Sequence, residues 1–278
     1  HNLMGAIAMG LGAFAQAEAS FERMKLIDPY SAENHYNLGH ARSKQDKTNL
    51  AINSFQLAIL LNPEFSNAHN SLGIALKSAG QIEPALHSYR KAIEIDPNFA
   101  EAFYNMGNLF KDEGNLEDAK RCFKSSLAIE AGLCEAHFNL GVALADCKEY
   151  EEALMSWEIT ISLDPQFAEA YAAIGIVKGN LGRMEEAYKS LSQAIQIKPE
   201  ECSFYLNRGN ILSELRRYDE CFLDYDKSIE LKSDYHFAFS NKGYYFPPTI
   251  IECDNHSLPV AENELFGPVL SVMKFETE

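Results

Sequence analysis

The sequence predicts an all-α fold of stacked helical hairpins, and two observations support this prediction. Eight glycines recur at an unbroken spacing of 34 residues: Gly5, Gly39, Gly73, Gly107, Gly141, Gly175, Gly209 and Gly243. Between them, apolar residues follow steps of three and four, which indicates amphipathic helices. A fixed period of this length is typical of a right-handed superhelix of antiparallel hairpins, in which each hairpin contacts only its neighbours.

Residues 100–131 illustrate one repeat. Apolar residues from Phe103 to Phe110 mark a first helix, the turn residues Glu113–Asn115 follow, and a second periodic stretch starts at Leu116. Each helix is expected to have about 13 residues. A mid-helix glycine costs about 1 kcal/mol relative to alanine, so its recurrence predicts a close approach of the partner helix. The alanine twelve residues after it supplies a small surface, and the aromatic residue sixteen after it is expected to fill the space between neighbouring hairpins.

The L-G, A-x-x-x-F and P landmarks of these units resemble the tetratricopeptide repeat (TPR) family. The resemblance covers residues 1–242, or about seven repeats with the first one truncated. It implies a superhelical solenoid whose concave groove binds an extended peptide or a partner protein, with no chemistry on the chain itself.

Composition narrows the function further. The net charge of −16 argues against nucleic acid and favours a basic or neutral protein partner. No apolar run reaches the roughly 18 residues that span a bilayer, so no membrane is expected. Six scattered cysteines without metal spacing predict a reducing, cytoplasmic location, and neither a metal nor a cofactor is expected.

Asparagine recurs two residues before the repeat glycine, and this row predicts the binding site. On the first helix it is expected to project into the concave groove, where its amide matches a peptide backbone. The row resembles that of O-linked N-acetylglucosamine transferases, whose asparagines grip substrate polypeptides. The alternative is that these amides bridge neighbouring helices. The predicted peptide-binding residues are Asn37, Asn105, Asn139, Asn207 and Asn241, with Tyr36, Tyr104, Asn108 and Asn210 beside them.

Two other periodic positions have structural interpretations. His35, His69 and His137 lie four residues before their glycines, where other repeats carry Phe or Tyr, so we interpret them as packing residues rather than metal ligands. Acidic residues begin successive first helices, where the helix dipole favours negative charge. These are Glu33, Glu101, Glu135 and Glu169.

The last segment, 243–278, departs from the repeat pattern and is β-prone and rich in proline. Its G-Y-Y-F-P-P-T and N-E-L-F-G-P-V runs resemble the aldehyde dehydrogenase family. The resemblance implies that Glu264 contacts the nicotinamide ribose and that Phe266 packs by the ring. The nucleophile, general base and nucleotide-binding fold of that family lie in sequence that is absent, so we expect no NAD binding and no enzyme activity. A glycosyltransferase substrate-recognition arm and a fused dehydrogenase remnant stay as rival interpretations.

Overall fold

The structure, a computed structural model, describes residues 2–232, and over that range it consists of α-helices without a strand. The helices are α1 Asn2–Gly10, α2 Phe14–Ile27, α3 Ala32–Ser43, α4 Thr48–Leu61, α5 Ser66–Ser78, α6 Ile82–Ile95, α7 Ala100–Asp112, α8 Leu116–Ile129, α9 Cys134–Asp146, α10 Tyr150–Leu163, α11 Ala168–Asn180, α12 Met184–Ile197, α13 Cys202–Glu214 and α14 Tyr218–Leu231. The predicted all-α fold of helix hairpins is confirmed. The predicted β-prone segment 243–278 lies outside the described residues.

The chain divides into two compact units, and the boundary falls inside α10. In unit 1 (His1–Ala153), hairpins α1–α2, α3–α4, α5–α6 and α7–α8 pack internally, and each second helix packs on the first helix of the next hairpin. Unit 2 (Leu154–Glu278) contains hairpins α11–α12 and α13–α14, with α12 packed on α13. Successive first helices also touch: α3, α5, α7 and α9 in unit 1, and α11 and α13 in unit 2.

The repeat glycine allows the close helix approach that its periodicity predicts. A Cβ at Gly39 would lie 2.5 Å from Cε1 of Phe55, and one at Gly73 would lie 2.5 Å from Cε1 of Tyr89. Both rings are 1 % exposed. Each ring packs on the glycine of its own hairpin, and Phe21 packs in addition with Leu38 and Ala41 of the next hairpin, as the sequence predicts for this aromatic position. Sixteen residues of helix, turn and antiparallel helix bring the ring back opposite that glycine.

The turn inside each described hairpin carries a residue in the left-handed region, seven positions after the repeat glycine. The turn predicted at Glu113–Asn115 is confirmed, with φ of 75° at Gly114. The others are Gly12, Asp46, Gly80, Lys148, Gly182 and Arg216, with φ between 57° and 76°. Glycine accepts this conformation without a steric cost, whereas Asp46, Lys148 and Arg216 carry strain there.

The turn between hairpins is closed by the residue four positions before the glycine. Nε2–H of His35 donates to the carbonyl of Pro29 at 3.0 Å, and His69 and His137 repeat the bond to Pro63 and Ala131 at the same distance. The packing interpretation of these histidines is therefore incomplete, since each also satisfies a turn carbonyl. The acidic residues predicted at helix starts, Glu33, Glu101, Glu135 and Glu169, do occupy first turns.

Candidate functional site

The first-helix face is the surface formed by the residues three before, two before, one after and four after each repeat glycine. Steps of three to four residues return to the same side of a helix, so these positions lie together. The residues one before and two after the glycine face the core instead. On α3 these are Leu38 and Ala41, which are 1 % and 0 % exposed and pack with Phe21. The asparagines two residues before the glycine, Asn37, Asn105, Asn139 and Asn207, therefore lie on the other side of their helices from these core positions.

Asn139, on α9, forms side-chain hydrogen bonds to three residues of α7. Its Nδ2 donates to the hydroxyl of Tyr104 at 3.1 Å and to Oδ1 of Asn108 at 3.0 Å. Its Oδ1 accepts from Nζ of Lys111 at 3.1 Å. One asparagine thus fixes three side chains of the preceding first helix, which is the bridging role that the sequence left open.

A second bridge joins α7 to α5. Nδ2 of Asn105 donates to Oδ1 of Asn70 at 3.1 Å, and Nδ2 of Asn70 donates to Oε1 of Glu101 at 3.4 Å. Asn70 is buried, with 3 % exposure. At the edge of the same face, Nζ of Lys77 pairs with Asp112 at 2.5 Å. The Nδ2 group of Asn105 is therefore used in a hydrogen bond within the protein.

A serine takes the asparagine position on α5, and it bonds to α3. The Ser71 hydroxyl lies 3.2 Å from Nε2 of His40. Burial raises the pKa of Tyr36, and burial lowers the pKa of His40, with the charge of Lys44 acting in the same direction. The uncharged forms of both rings are favoured at neutral pH.

Asn37 and Asn207 differ from the other asparagines of this row. Both are half-buried, and among the side chains of residues 3–232 neither has a hydrogen-bond partner. For Asn207 the preceding first helix explains the difference, because the residues three before, one after and four after its glycine supply the partners of Asn139. These are Tyr104, Asn108 and Lys111 for Asn139, whereas the equivalent residues for Asn207 have no polar side chain: Ala172, Ile176 and Gly179.

Four predicted site residues remain to be placed: Asn210, Asn241, Glu264 and Phe266. Oδ1 of Asn210, on α13, accepts from the hydroxyl of Tyr225 at 2.9 Å, so it turns toward the second helix of its own hairpin. Asn241, Glu264 and Phe266 lie outside the described residues.

Family models and solved structures agree on what these hairpins are. The model described as "Tetratricopeptide repeat" matches residues 32–65, 100–132, 168–201 and 203–235, and one described as "TPR repeat" matches 75–114. The hairpins are tetratricopeptide repeats. TPR folds among the solved structures include the C-terminal part of a TPR repeat-containing protein from Cytophaga hutchinsonii, with a TM-score of 0.68 and 15% identity over 86% of this chain and 98% of that one.

Two further TPR structures resemble the chain. YrrB, "a TPR protein with an unusual peptide-binding site", has a TM-score of 0.59 and 24% identity over 68% of this chain and 97% of its own. MamA has a TM-score of 0.56 and 25% identity over 59% of this chain and 96% of its own. These likenesses support the fold.

The carboxy-terminal region also resembles the aldehyde dehydrogenase family, whose model matches residues 224–278. Aldehyde dehydrogenase 1 of Tanacetum cinerariifolium is 46% identical over 39 residues, which are 14% of this chain and 8% of that protein. The chain thus spans a small part of that relative.

None of the helices within residues 2–232 has the length and apolar character needed to cross a membrane.

Sequence reasoning missed a buried ion pair in the last described TPR hairpin. Nε and Nη2 of Arg208, on α13, donate to the two carboxylate oxygens of Asp224, on α14, both at 2.7 Å, and Nη1 donates to Ser192 at 3.2 Å. The Asp224 side chain is 7 % exposed. The hydrogen bonds to Asp224 raise the pKa of Arg208. The signal was present, since an acid and a base sixteen residues apart occupy facing positions of one hairpin.

One group of potential metal ligands occurs in the TPR region. A ligand atom from each of Glu117, Cys147 and Glu149 lies within 4.8 Å of the others. Nζ of Lys120 pairs with Glu117 at 2.7 Å and with Glu149 at 2.6 Å, and these bonds raise the pKa of the lysine. The ammonium group of Lys120 therefore already occupies the position between these two carboxylates.

Proposed function

We propose that this chain is a protein-interaction scaffold that binds an extended segment of a partner protein along the first-helix face. The observation that supports it is the row of amide and hydroxyl groups that successive first helices present: Asn37, Ser71, Asn105 and Asn139 in unit 1, and Asn207 in unit 2. Packed helices lie about 8–10 Å apart, which is the rise of about three residues of extended chain. One polar group per repeat can therefore contact the backbone of the bound partner at about every third residue of that partner.

The partner is a protein or peptide, basic or neutral in charge. The net charge of −16 supports this choice and disfavours nucleic acid. The description of YrrB names a peptide-binding site in that protein, and its TPR fold is shared here. Free thiols at Cys122, Cys134, Cys147, Cys202 and Cys221 support a reducing, cytoplasmic location.

The test is selection from a random twelve-residue phage library, followed by fluorescence anisotropy with the enriched peptides. The triple variant Asn105→Ala, Asn139→Ala and Asn207→Ala should bind them at least tenfold more weakly. The helical circular dichroism signal should be kept. The unfolding midpoint should fall, because loss of the Asn105 and Asn139 bonds costs about 1 kcal/mol each.

The control is Asn98→Ala, which changes an exposed asparagine in the turn between α6 and α7. It should bind like the original chain. Equal binding by the triple variant, or a library without an enriched peptide, would count against the proposal.

A more specific form of the proposed function is that the chain serves as the substrate-recognition arm of an O-linked N-acetylglucosamine transferase. The asparagine two residues before the glycine at positions 37, 105, 139 and 207 favours it. A transcript that joins these repeats to a glycosyltransferase catalytic domain would decide for this version. The dehydrogenase-like region, 224–278, is not part of this proposal.

A further inference from the structure

Helix α1 exposes apolar residues at positions that are buried on other first helices of unit 1. The residues one before and two after the repeat glycine are buried on α3, α5 and α9, where the second helix of the neighbouring hairpin packs on each of them. These buried residues are Leu38, Ala41, Leu72, Ala75, Leu140 and Ala143. On α1 the same positions hold Met4 and Ile7, which are 63 % and 53 % exposed. Leu3 and Leu11 are even more exposed.

These four residues form one surface, which we call the α1 face. Leu3, Ile7 and Leu11 follow steps of four, and Met4 lies three residues before Ile7, so the side chains share one side of the helix. The side that packs on α2 carries Gly5 instead, where an added Cβ would lie 2.6 Å from Cε1 of Phe21. Because α1 is held on α2 by this close contact, the α1 face is formed before any partner binds.

The charge of the chain favours a second copy as the partner at this face. Residues 2–17 contain no charged side chain, so the net charge of −16 lies on the rest of the chain. The nearest carboxylate, Glu18, pairs with Arg42 at 3.1 Å and with Lys47 at 2.6 Å. Two acidic copies repel each other elsewhere, and this repulsion is weakest at the α1 face. A basic partner, by contrast, finds no carboxylate among residues 2–17.

A two-fold axis through the α1 face places apolar side chains of one copy against the same side chains of the other. Such an interface is self-complementary and closes at two copies. Contiguous exposed apolar residues are typical of an interaction surface. One helix per copy gives an interface at the small end of the known range, so the association is expected to be weak and reversible.

We infer that two copies of this chain associate through their α1 faces, with Leu3, Met4, Ile7 and Leu11 of each copy packed against those of the other. The contact removes from water the residues that a second helix covers in other hairpins of unit 1. This inference does not depend on the proposed function, because the asparagine row does not extend to α1, where Leu3 takes its position.

The experiment is sedimentation velocity of the complete chain at concentrations from about 1 to about 100 μM, which cover weak protein–protein affinities. The mean mass should rise from that of one chain to that of two. Leu3→Glu and Ile7→Glu should each keep the chain monomeric throughout, because carboxylates would then face each other across the interface. Both residues are exposed, so circular dichroism and the unfolding midpoint should match those of the original chain.

The matched control is Leu60→Glu, which makes the same change at a residue of α4 that is about as exposed as Leu3. It should form dimers like the original chain. A chain that stays monomeric at every concentration overturns the inference, and so does a monomer that binds phosphatidylcholine vesicles through the α1 face. Dimers that persist in Leu3→Glu and Ile7→Glu, or that Leu60→Glu disrupts equally, overturn the assigned surface. Species that grow beyond two copies overturn the closed two-fold contact.

Discussion

Asp224→Ala is expected to lower the free energy of unfolding of unit 2 by about 3 kcal/mol. The carboxylate is 7 % exposed and receives two bonds from Arg208 at 2.7 Å. Its removal leaves a guanidinium group, itself 20 % exposed, without its counter-ion, and breaking a buried pair costs about 3–5 kcal/mol. Arg208 also keeps its bond to Ser192, which places the expected value at the lower end. Urea unfolding followed by circular dichroism measures the change.

Glu220→Ala is the matched control for this prediction. Glu220 lies on the same helix α14 and also receives two bonds from an arginine, Arg217, at 2.8 and 2.6 Å. The two side chains are 49 % and 33 % exposed, so water screens the pair and its loss should change the stability much less than the loss of Asp224. Equal losses in the two variants would show that burial of the Arg208–Asp224 pair has no energetic consequence.

Gly39→Ala is expected to destabilise unit 1 by about 1–2 kcal/mol, although alanine is the better helix former. Alanine gains about 1 kcal/mol in helix propensity. Its Cβ, however, would lie 2.5 Å from Cε1 of Phe55, whose ring is 1 % exposed and has no room to move. Forcing a core apart costs about 1–3 kcal/mol, and the closeness of this contact places the cost at the upper end. Thermal and urea unfolding give the sign of the net effect.

Gly179→Ala tests the same argument with a contact that can yield. Gly179 lies in α11, and its added Cβ would meet Cδ1 of Ile211 at 2.6 Å, which is the end of a flexible side chain. This variant is expected to keep or raise the stability. A stabilising Gly39→Ala would contradict the close packing of glycine and aromatic ring on which the fold argument depends.

The sequence was sufficient to predict the hairpins because each depends on information within one period. The turn at Glu113–Asn115 and the glycine contact are local consequences of the repeat. The left-handed residues were not foreseen at Asp46, Lys148 and Arg216, because glycine marks this turn position only in some repeats. The turn bond of His35 was also missed, since the aromatic residues that replace histidine elsewhere suggested packing alone.

The candidate site was only partly predictable. Periodicity predicted the position of the asparagine row. It did not predict which of the side-chain amides are hydrogen-bonded to neighbouring helices. Asn207 and Asn139 occupy the same position of their repeats, yet among residues 3–232 Asn207 has no side-chain partner, whereas Asn139 bonds to Tyr104, Asn108 and Lys111. The difference depends on side chains about 30 residues away, and it requires knowledge of how successive first helices face each other. Once it is known which positions of successive first helices face each other, the sequence shows which asparagines have polar neighbours.

Photo-cross-linking with an enriched peptide tests the central claim most directly. A benzophenone group at each peptide position in turn would be activated, and the attached residues identified by mass spectrometry. The account predicts attachment to the first helices α3, α5 and α7, at residues of the first-helix face. Attachment confined to the second helices α4, α6 and α8 would contradict it, because the first-helix face would then not be the binding surface.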